Sequence, residues 1–345
     1  MRTQFLVSFF YCCLLSLNGQ TIEKFNIDSG GASASAGNIE VLYTIGEVAV
    51  REVNVGSVSI SEGFIAPEFK LRIHPEMFLQ GAMLNPTSIG LMNDDLRAAS
   101  YIPTTSPYAD GATCNASVFS VTGNNAIVDW VWVSIRSNDD NQKQIQGRSA
   151  LLQRDGDVVD VDGISNVIMN IPKNTYYIAL EHRNHLGAMS ASPIQLNDGS
   201  VTIIDFKDSA FNTFGSNAQA VLDSGDMALW AGDTNGDGKV NIIGAPNDTN
   251  TLRDTILNDP INQIIQFYGF TVSGYTNEDV NLNGGANIIG ANNDANVLRD
   301  NILNHPINII LQFYGYNILE QLPAVVSSSR MVFDIEMTEK NKQDN

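Results

Sequence analysis

DTNGDGKVNIIGAPNDTNTLRDTILNDPINQIIQFYG, from Asp233 to Gly269, returns as DVNLNGGANIIGANNDANVLRDNILNHPINIILQFYG, from Asp279 to Gly315. The copies align without a gap and share about two-thirds of their residues, so one supersecondary unit is used twice. Each opens with oxygen-bearing side chains at its first, third and fifth positions: Asp233, Asn235 and Asp237, then Asp279, Asn281 and Asn283. A glycine follows in both, Gly238 and Gly284. Alternate side chains of such a loop point inward, the glycine permits a sharp turn, and the next carbonyl, of Lys239 or Gly285, is available as a further ligand. The arrangement suits a hard cation, and calcium is the expected cofactor.

DTNGDGKVN resembles the calcium loop of dockerin modules, which carry two such loops, each followed by a helix, and in some bacteria dock enzymes onto scaffold proteins. The resemblance covers the repeat region and departs from the pattern at the twelfth loop position. There dockerins supply a carboxylate, and this chain has Gly244 and Gly290. The next acid comes four residues later in both copies, at Asp248 and Asp294. The loop therefore reads as lengthened, with a late closing carboxylate; the alternative is that these aspartates only N-cap the following helix. The expected metal ligands are Asp233, Asn235, Asp237, Lys239 and Asp248 in the first copy, and Asp279, Asn281, Asn283, Gly285 and Asp294 in the second.

Beyond its loop each copy predicts two short helices. Leu252, Ile256 and Leu257 form one apolar stripe, stopped at Asn258-Asp259-Pro260; Ile261, Ile264, Ile265 and Tyr268 form the next, ended by Gly269. The second copy repeats this with Leu298, Ile302, Leu303 and Pro306. Neither copy can bury its stripe alone, so residues 230–316 are expected to pack as one small all-α, dockerin-like calcium domain.

The chain of 345 residues is long enough for two or three domains. Its formal charge of −19, from 38 acidic and 19 basic residues, argues against nucleic acid as a partner, because phosphates demand clusters of Lys and Arg. It suits an extracellular protein that collects divalent cations, and equally one kept soluble by its acidity.

Residues 1–20, MRTQFLVSFFYCCLLSLNGQ, read as a secretory signal peptide, since the apolar run from Phe5 to Leu17 is too short to span a bilayer and no stop-transfer segment follows. The mature chain is expected to have no transmembrane segment and to lie outside the cell, secreted or at its surface. Cys12 and Cys13 would leave with the leader, and Cys114 alone cannot form an internal disulfide. Residues 21–70 read as short strands joined by turns, with Val41, Tyr43 and Ile45 alternating. The run SGG, YTIGE, SEGFIAP is similar to a segment at the start of many secreted bacterial proteins, which implies a bacterial, exported chain. APEFKLRIHPE, with Pro67 and Pro75, reads as a linker or edge strand.

Residues 71–229 read as an all-β, sandwich-like domain, and residues 317–345 as a tail. In AIVDWVWVSIR, Val128, Trp130, Trp132 and Ser134 take one face, and Ile127, Asp129, Val131, Val133 and Ile135 the other. SALLQRD, DVVDVDG, SNVIMNI, TYYIALEHR and VTIIDF follow as strands, separated by turns such as Asp155-Gly156 and Asp162-Gly163. Together with MNDDLRAASYIPTTSPY and EHRNHLGAMS they are similar to a domain that accompanies such calcium repeats in secreted bacterial proteins. The fold class is thus mainly β, an N-terminal β segment and a sandwich followed by the helical calcium repeats.

Three constellations bear on chemistry. His182 and His185, with Arg183 and Asn184 between them and Glu181 just before, could be a zinc site or supply a general base, but the sequence offers no third ligand and a polar loop tying strands is the default. Asp155, Asp157, Asp160 and Asp162 could form a further calcium site, or be the turns and solvated face of a hairpin. Asp129, on an aliphatic face, calls for a partner, with Arg136, Arg148 and Arg183 as the choices. No phosphate loop, nucleophile elbow or His-Glu-x-x-His motif occurs, and no catalytic residue stands out. The expected function is a non-catalytic module that binds an extracellular protein or glycan; the alternative is a polysaccharide-acting hydrolase of glycoside hydrolase type, or its carbohydrate-binding accessory. The sequence sets no oligomeric state.

Overall fold

Strand Ile127–Ser137 is buried along ten of its eleven residues, Trp132 alone being half-buried. Its alternation predicts one dry face and one wetter face. The strand instead runs through the middle of a sheet covered on both sides, so both sets of side chains face protein. In the computed structural model, which describes residues 30–36, 39–45, 51–55, 58–62 and 69–325, the chain divides into two compact units, Met1–Pro67 and Glu68–Asn345. The protein is mainly β, built from several sheets.

The first unit contains two antiparallel hairpins, β1 (Gly30–Ala36) with β2 (Ile39–Ile45) and β3 (Arg51–Val55) with β4 (Val58–Glu62). These are the short strands that its alternation predicts. The expected leader at 1–20 and residues 326–345 of the expected tail lie outside the described residues.

The second unit begins with β5 (Leu71–Glu76), then β6 (Ile127–Ser137), β7 (Gln144–Gln153), β8 (Val158–Val159), β9 (Val167–Met169), β10 (Asn174–His182), β11 (His185–Met189), β12 (Ile194–Leu196) and β13 (Val201–Asp205). The larger sheet has the order β11-β10-β6-β7-β8, with β12 also on β10; the smaller is β13-β5-β9. Both contribute to one apolar core, including Ile73 of β5, Trp130 and Val131 of β6, Leu151 of β7 and Ile178 of β10. Against expectation, β5 is neither linker nor edge: it pairs parallel with β13 over residues 72–76 and antiparallel with β9 over residues 71–73. Pro75 is tolerated in this central strand because the β9 ladder has already stopped at Ile73. The four-residue helix α1 (Asp95–Ala98) and the small hairpin of β14 (Ala220–Val221) with β15 (Met227–Ala228) complete this part.

The expected boundary between residues 229 and 230 falls inside the second unit. Leu282 of the second repeat joins the large β core, while Leu186 and Ala220 join the repeats' own cluster around Leu252, Ile256, Leu298 and Ile302. Polar ties cross the same line. Gln80 exchanges hydrogen bonds of 2.8 and 2.9 Å with Asn301, and the Asn184 amide donates to the Asn277 and Asp279 carbonyls.

Each repeat holds one helix rather than the two expected: α2 (Asp248–Asn258) and α3 (Asp294–Asn304). Leu252 and Ile256, and their counterparts Leu298 and Ile302, are buried as their spacing predicts. The following PIN segments turn instead of coiling. The Asn262 amide, itself buried, donates to the carbonyls of Ile256 (2.8 Å) and Phe267 (3.0 Å) and accepts from Phe267 N–H (2.9 Å). Asn308 makes the same three bonds in the second copy. This plug satisfies the helix end, and Gln266 and Gln312 then enter the left-handed region (φ 50° and 47°), which prevents a second helix. The second stripe consequently faces solvent: Ile264 and Ile310 are 90 % and 92 % exposed. Among the described residues no helix is long and apolar enough to cross a membrane.

Four two-residue strands bind the copies reciprocally. β16 (Lys239–Val240), in the first loop, pairs with β19 (Ile318–Leu319), which trails the second copy. β18 (Gly285–Ala286), in the second loop, pairs with β17 (Val272–Ser273), which trails the first. Each copy's tail therefore closes the other copy's loop, so the two form a pseudo-symmetric pair.

Candidate functional site

In each loop the side chains of the first and third positions converge on one backbone amide. Asp237 N–H donates to Asp233 Oδ1 and Asn235 Oδ1, both at 3.0 Å. Asn283 N–H donates to Asp279 Oδ1 at 3.0 Å and Asn281 Oδ1 at 3.1 Å. The other carboxylate oxygen accepts from the glycine that makes the turn, Gly238 (3.0 Å) or Gly284 (2.8 Å). Both glycines are left-handed, φ 75° and 89°, as the sharp turn requires. Asp237 is exposed beside the Lys239 ammonium at 3.7 Å, and Asn283 Oδ1 accepts from Gly285 N–H.

The missing twelfth-position carboxylate has a backbone cause. Gly244 and Gly290 have φ of 104° and 124°, a conformation that an acidic L-residue would adopt only under strain. Asp248 and Asp294 do not cap the helices either: the caps are Asn247 and Asn293, which accept from Asn250 and Asn296 N–H. Fully buried at the first helical position, the two aspartates reach back into the loops. Asp248 accepts from Thr234 N–H (2.8 Å) and Asn241 N–H (2.7 Å), and Asp294 from Val280 N–H (2.9 Å) and Asn287 N–H (2.8 Å). They brace both ends of each loop, a role that their spacing alone does not reveal.

These residues fit a cation. Burial first of all pushes Asp233 and Asp279 up to about 6, Asp248 to about 7 and Asp294 to about 8; each loop thus holds two carboxyls costly to ionise without a positive partner. Asn287 Oδ1, at the ninth position of the second loop, is a buried acceptor without a hydrogen-bond partner. Asn235 Nδ2 also lacks one. No motif points to Glu320, whose N–H donates to the Gly238 carbonyl and whose half-buried carboxyl is raised to about 7 by desolvation and by the nearby Glu181 and Asp233.

A pH dependence follows. The four loop aspartates have folded pKa values above their ordinary value of 3.8. Their contribution to stability is therefore complete at low pH and is lost as pH rises through about 6 to 8. His182 and His185 have lowered values and act only below their usual 6.5. Between pH 6.5 and 8 the chelated protein should melt progressively lower, and calcium addition should both remove that trend and release protons; melts in chelator and in calcium across this window check it.

The constellation around Asp129 is a buried network. Asp129 Oδ2 contacts His182 Nε2 (3.1 Å) and Arg183 Nε (3.0 Å), and Oδ1 accepts from Tyr275 OH (2.5 Å) and Trp130 N–H (2.7 Å). Of the three candidate arginines, Arg183 is the partner. Gly81 N–H donates to His185 Nε2 (3.1 Å), so His185 carries its proton on Nδ1 and can donate to His182 Nδ1 (3.0 Å) or to Asn184 Oδ1 (2.8 Å). His182 then donates from Nε2 to Asp129. Burial lowers the pKa of both rings, against the pull of Asp129 on His182. The histidines tie strands together and offer no open metal position.

The four acids of RDGDVVDVDG are dispersed rather than clustered. Asp160 pairs with Arg148, Asp162 holds Ser165 in its turn, Asp155 accepts from Asp157 N–H, and Asp157 lies beside His74. Cys114 is a half-buried free thiol whose pKa is pushed up by burial.

A cavity of about 400 Å³ lies between the second repeat and the segment around Leu84–Asp95, and Asn281 and Asn283 of the second loop form part of its wall. Asn85, Thr87, Asn292 and Asn296 also line it, their side chains making no hydrogen bond among the described residues. Asn85 and Asn292 are left-handed, φ 49° and 55°. Asp95 and Asp300 are its carboxyls, and neither Lys nor Arg lines it. Set against known proteins, the chain matches no family model, no curated protein and no solved structure.

Proposed function

We propose that the chain is a secreted or cell-surface, non-catalytic binding module whose dockerin-like tandem loops bind calcium, and whose two β-sheets form a sandwich on which the loops are mounted. Each loop would hold one ion. Asp233, Asn235, Asp237 and the Lys239 carbonyl serve the first, with Asp248 bracing it; Asp279, Asn281, Asn283 and the Gly285 carbonyl serve the second, braced by Asp294. The ligand is a glycan. The observation that carries this is the cavity against the second loop: unengaged amides and a hydroxyl that both donate and accept, with no cationic side chain, suit neutral sugar hydroxyls better than an anion.

The test is retention of neutral oligosaccharides on the immobilised chain. Asn292→Ala with Asn296→Ala is expected to abolish retention while leaving the melting temperature within a few degrees, and chelation is expected to weaken it. Unchanged retention in the double variant would remove the glycan reading, and turnover of the bound sugar would move the assignment to a hydrolase. Capture of an extracellular protein is the second reading, supported by the two exposed turns around Ile264 and Ile310, which present matching apolar side chains.

A further inference from the structure

We propose that His74, Glu76 and Asp157 bind a divalent transition-metal ion, zinc by its ligand set, at a site separate from the aspartate loops. His74 and Glu76 are two apart on β5 and so point to the same face. Asp157 is brought opposite by an isolated antiparallel bridge to Glu76, directly after the Asp155-Gly156 turn. Three ligand atoms from two neighbouring segments thus converge within 4.8 Å of one another.

The distances favour an ion over direct pairing. His74 Nε2 is 3.7 Å from Glu76 Oε1 and 3.4 Å from Asp157 Oδ1. A charge-assisted N–H···O contact closes to about 2.7–2.9 Å. Two ligands of a tetrahedral ion bonded at about 2.0–2.2 Å stand roughly 3.3–3.6 Å apart; the His74–Asp157 spacing falls in that range and the His74–Glu76 spacing just beyond it.

The surrounding groups orient each ligand. His74 Nδ1 lies 3.0 Å from Asn166 Oδ1, an acceptor, so Nδ1 is the donor there and Nε2, on the side of the two carboxylates, is the nitrogen placed to ligate. This is how ligating histidines are usually held. Lys207 Nζ engages Glu76 Oε2 at 2.6 Å and donates to the Asp155 carbonyl at 2.9 Å, leaving Glu76 Oε1 to turn toward the ion. The three ligand side chains are 22 %, 18 % and 32 % exposed, enough for entry and for water as a fourth ligand. An imidazole nitrogen in the set selects zinc and its neighbours over calcium and magnesium.

The experiment is calorimetric titration of the full chain with zinc, calcium being in excess to occupy the loops, with cobalt absorption as a readout of tetrahedral N/O ligation. One zinc equivalent is expected. It should be lost in His74→Ala and in Asp157→Asn, the second being nearly isosteric at a part-exposed position and so a folded control. Asn166→Ala should weaken binding about 10-fold or more. Absence of zinc uptake by the unaltered chain, or an equivalent that survives both ligand substitutions, would overturn the site and leave a cluster of ion pairs only.

Discussion

Asp129→Ala is expected to destabilise the protein by about 3–5 kcal/mol, because it removes one partner of a buried ion pair and strands the other. Asp129 is fully buried, and the Arg183 side chain is only 4 % exposed. Burial would raise the Asp129 carboxyl, but the Arg183 guanidinium and the bonds from His182 and Tyr275 outweigh it and hold it at about 2. Without the carboxylate, Arg183 keeps the Thr276 carbonyl, the face of the Tyr275 ring, 4.3 Å from its guanidinium carbon, and the charge of the Asp279 carboxyl, which does not replace its ion pair with Asp129. His182 loses its acceptor as well, so the proton chain through His185 to Gly81 has no terminus. Chemical denaturation of the variant beside the unaltered chain measures this. A loss under about 1 kcal/mol would mean that the network relaxes around the gap.

Gly81→Ala should have the second largest effect, and a local one. A Cβ on Gly81 would stand 1.9 Å from the Val280 carbonyl oxygen and 3.2 Å from Asn281 Cα, both backbone atoms that no rotamer change can move away. Overpacking of this kind costs about 1–3 kcal/mol or more. Because Val280 and Asn281 are the second and third residues of the second loop, the strain should fall on that loop. Calcium uptake there should weaken while the first loop is spared. A variant that melts normally and titrates like the unaltered protein would show that the segment after β5 and the loop move apart freely.

Much of this was legible beforehand, and what was not has identifiable causes. The strands of residues 127–206 announced themselves by alternation and turn chemistry, which are local. Leu252 and Ile256 signalled a buried helix face for the same reason. Ile261, Ile264 and Ile265 have helical spacing, which predicts a second helix in each copy that does not form. What decides against it is the side chain of Asn262, folded back onto the Ile256 carbonyl, and periodicity carries no information about such a plug. Non-local contacts cross the expected line between β domain and repeats. Leu186 and Leu282 are ordinary apolar residues in sequence, and only the fold places them in each other's region. Repeat symmetry singles out Asp248 and Asp294, yet their bonds to both ends of the loop appear only in three dimensions.

The loops also differ in surroundings that sequence could not supply. The first can offer the carboxylates of Asp233 and Asp237, the latter beside the partly exposed Lys239 ammonium, with Asp248 and Glu320 close by, whereas the second offers Asp279 alone, with Asp294 behind it and the buried Arg183 guanidinium close enough to lower Asp279. Fewer anions and a nearby fixed cation both weaken calcium binding. Calorimetric calcium titration of the chain and of its Asp233→Ala and Asp279→Ala variants tests the account most directly. Two sites are expected in the unaltered chain, the tighter one lost with Asp233→Ala and the weaker with Asp279→Ala. Loss of the tighter site in Asp279→Ala, or calcium uptake unaffected by either change, would contradict it.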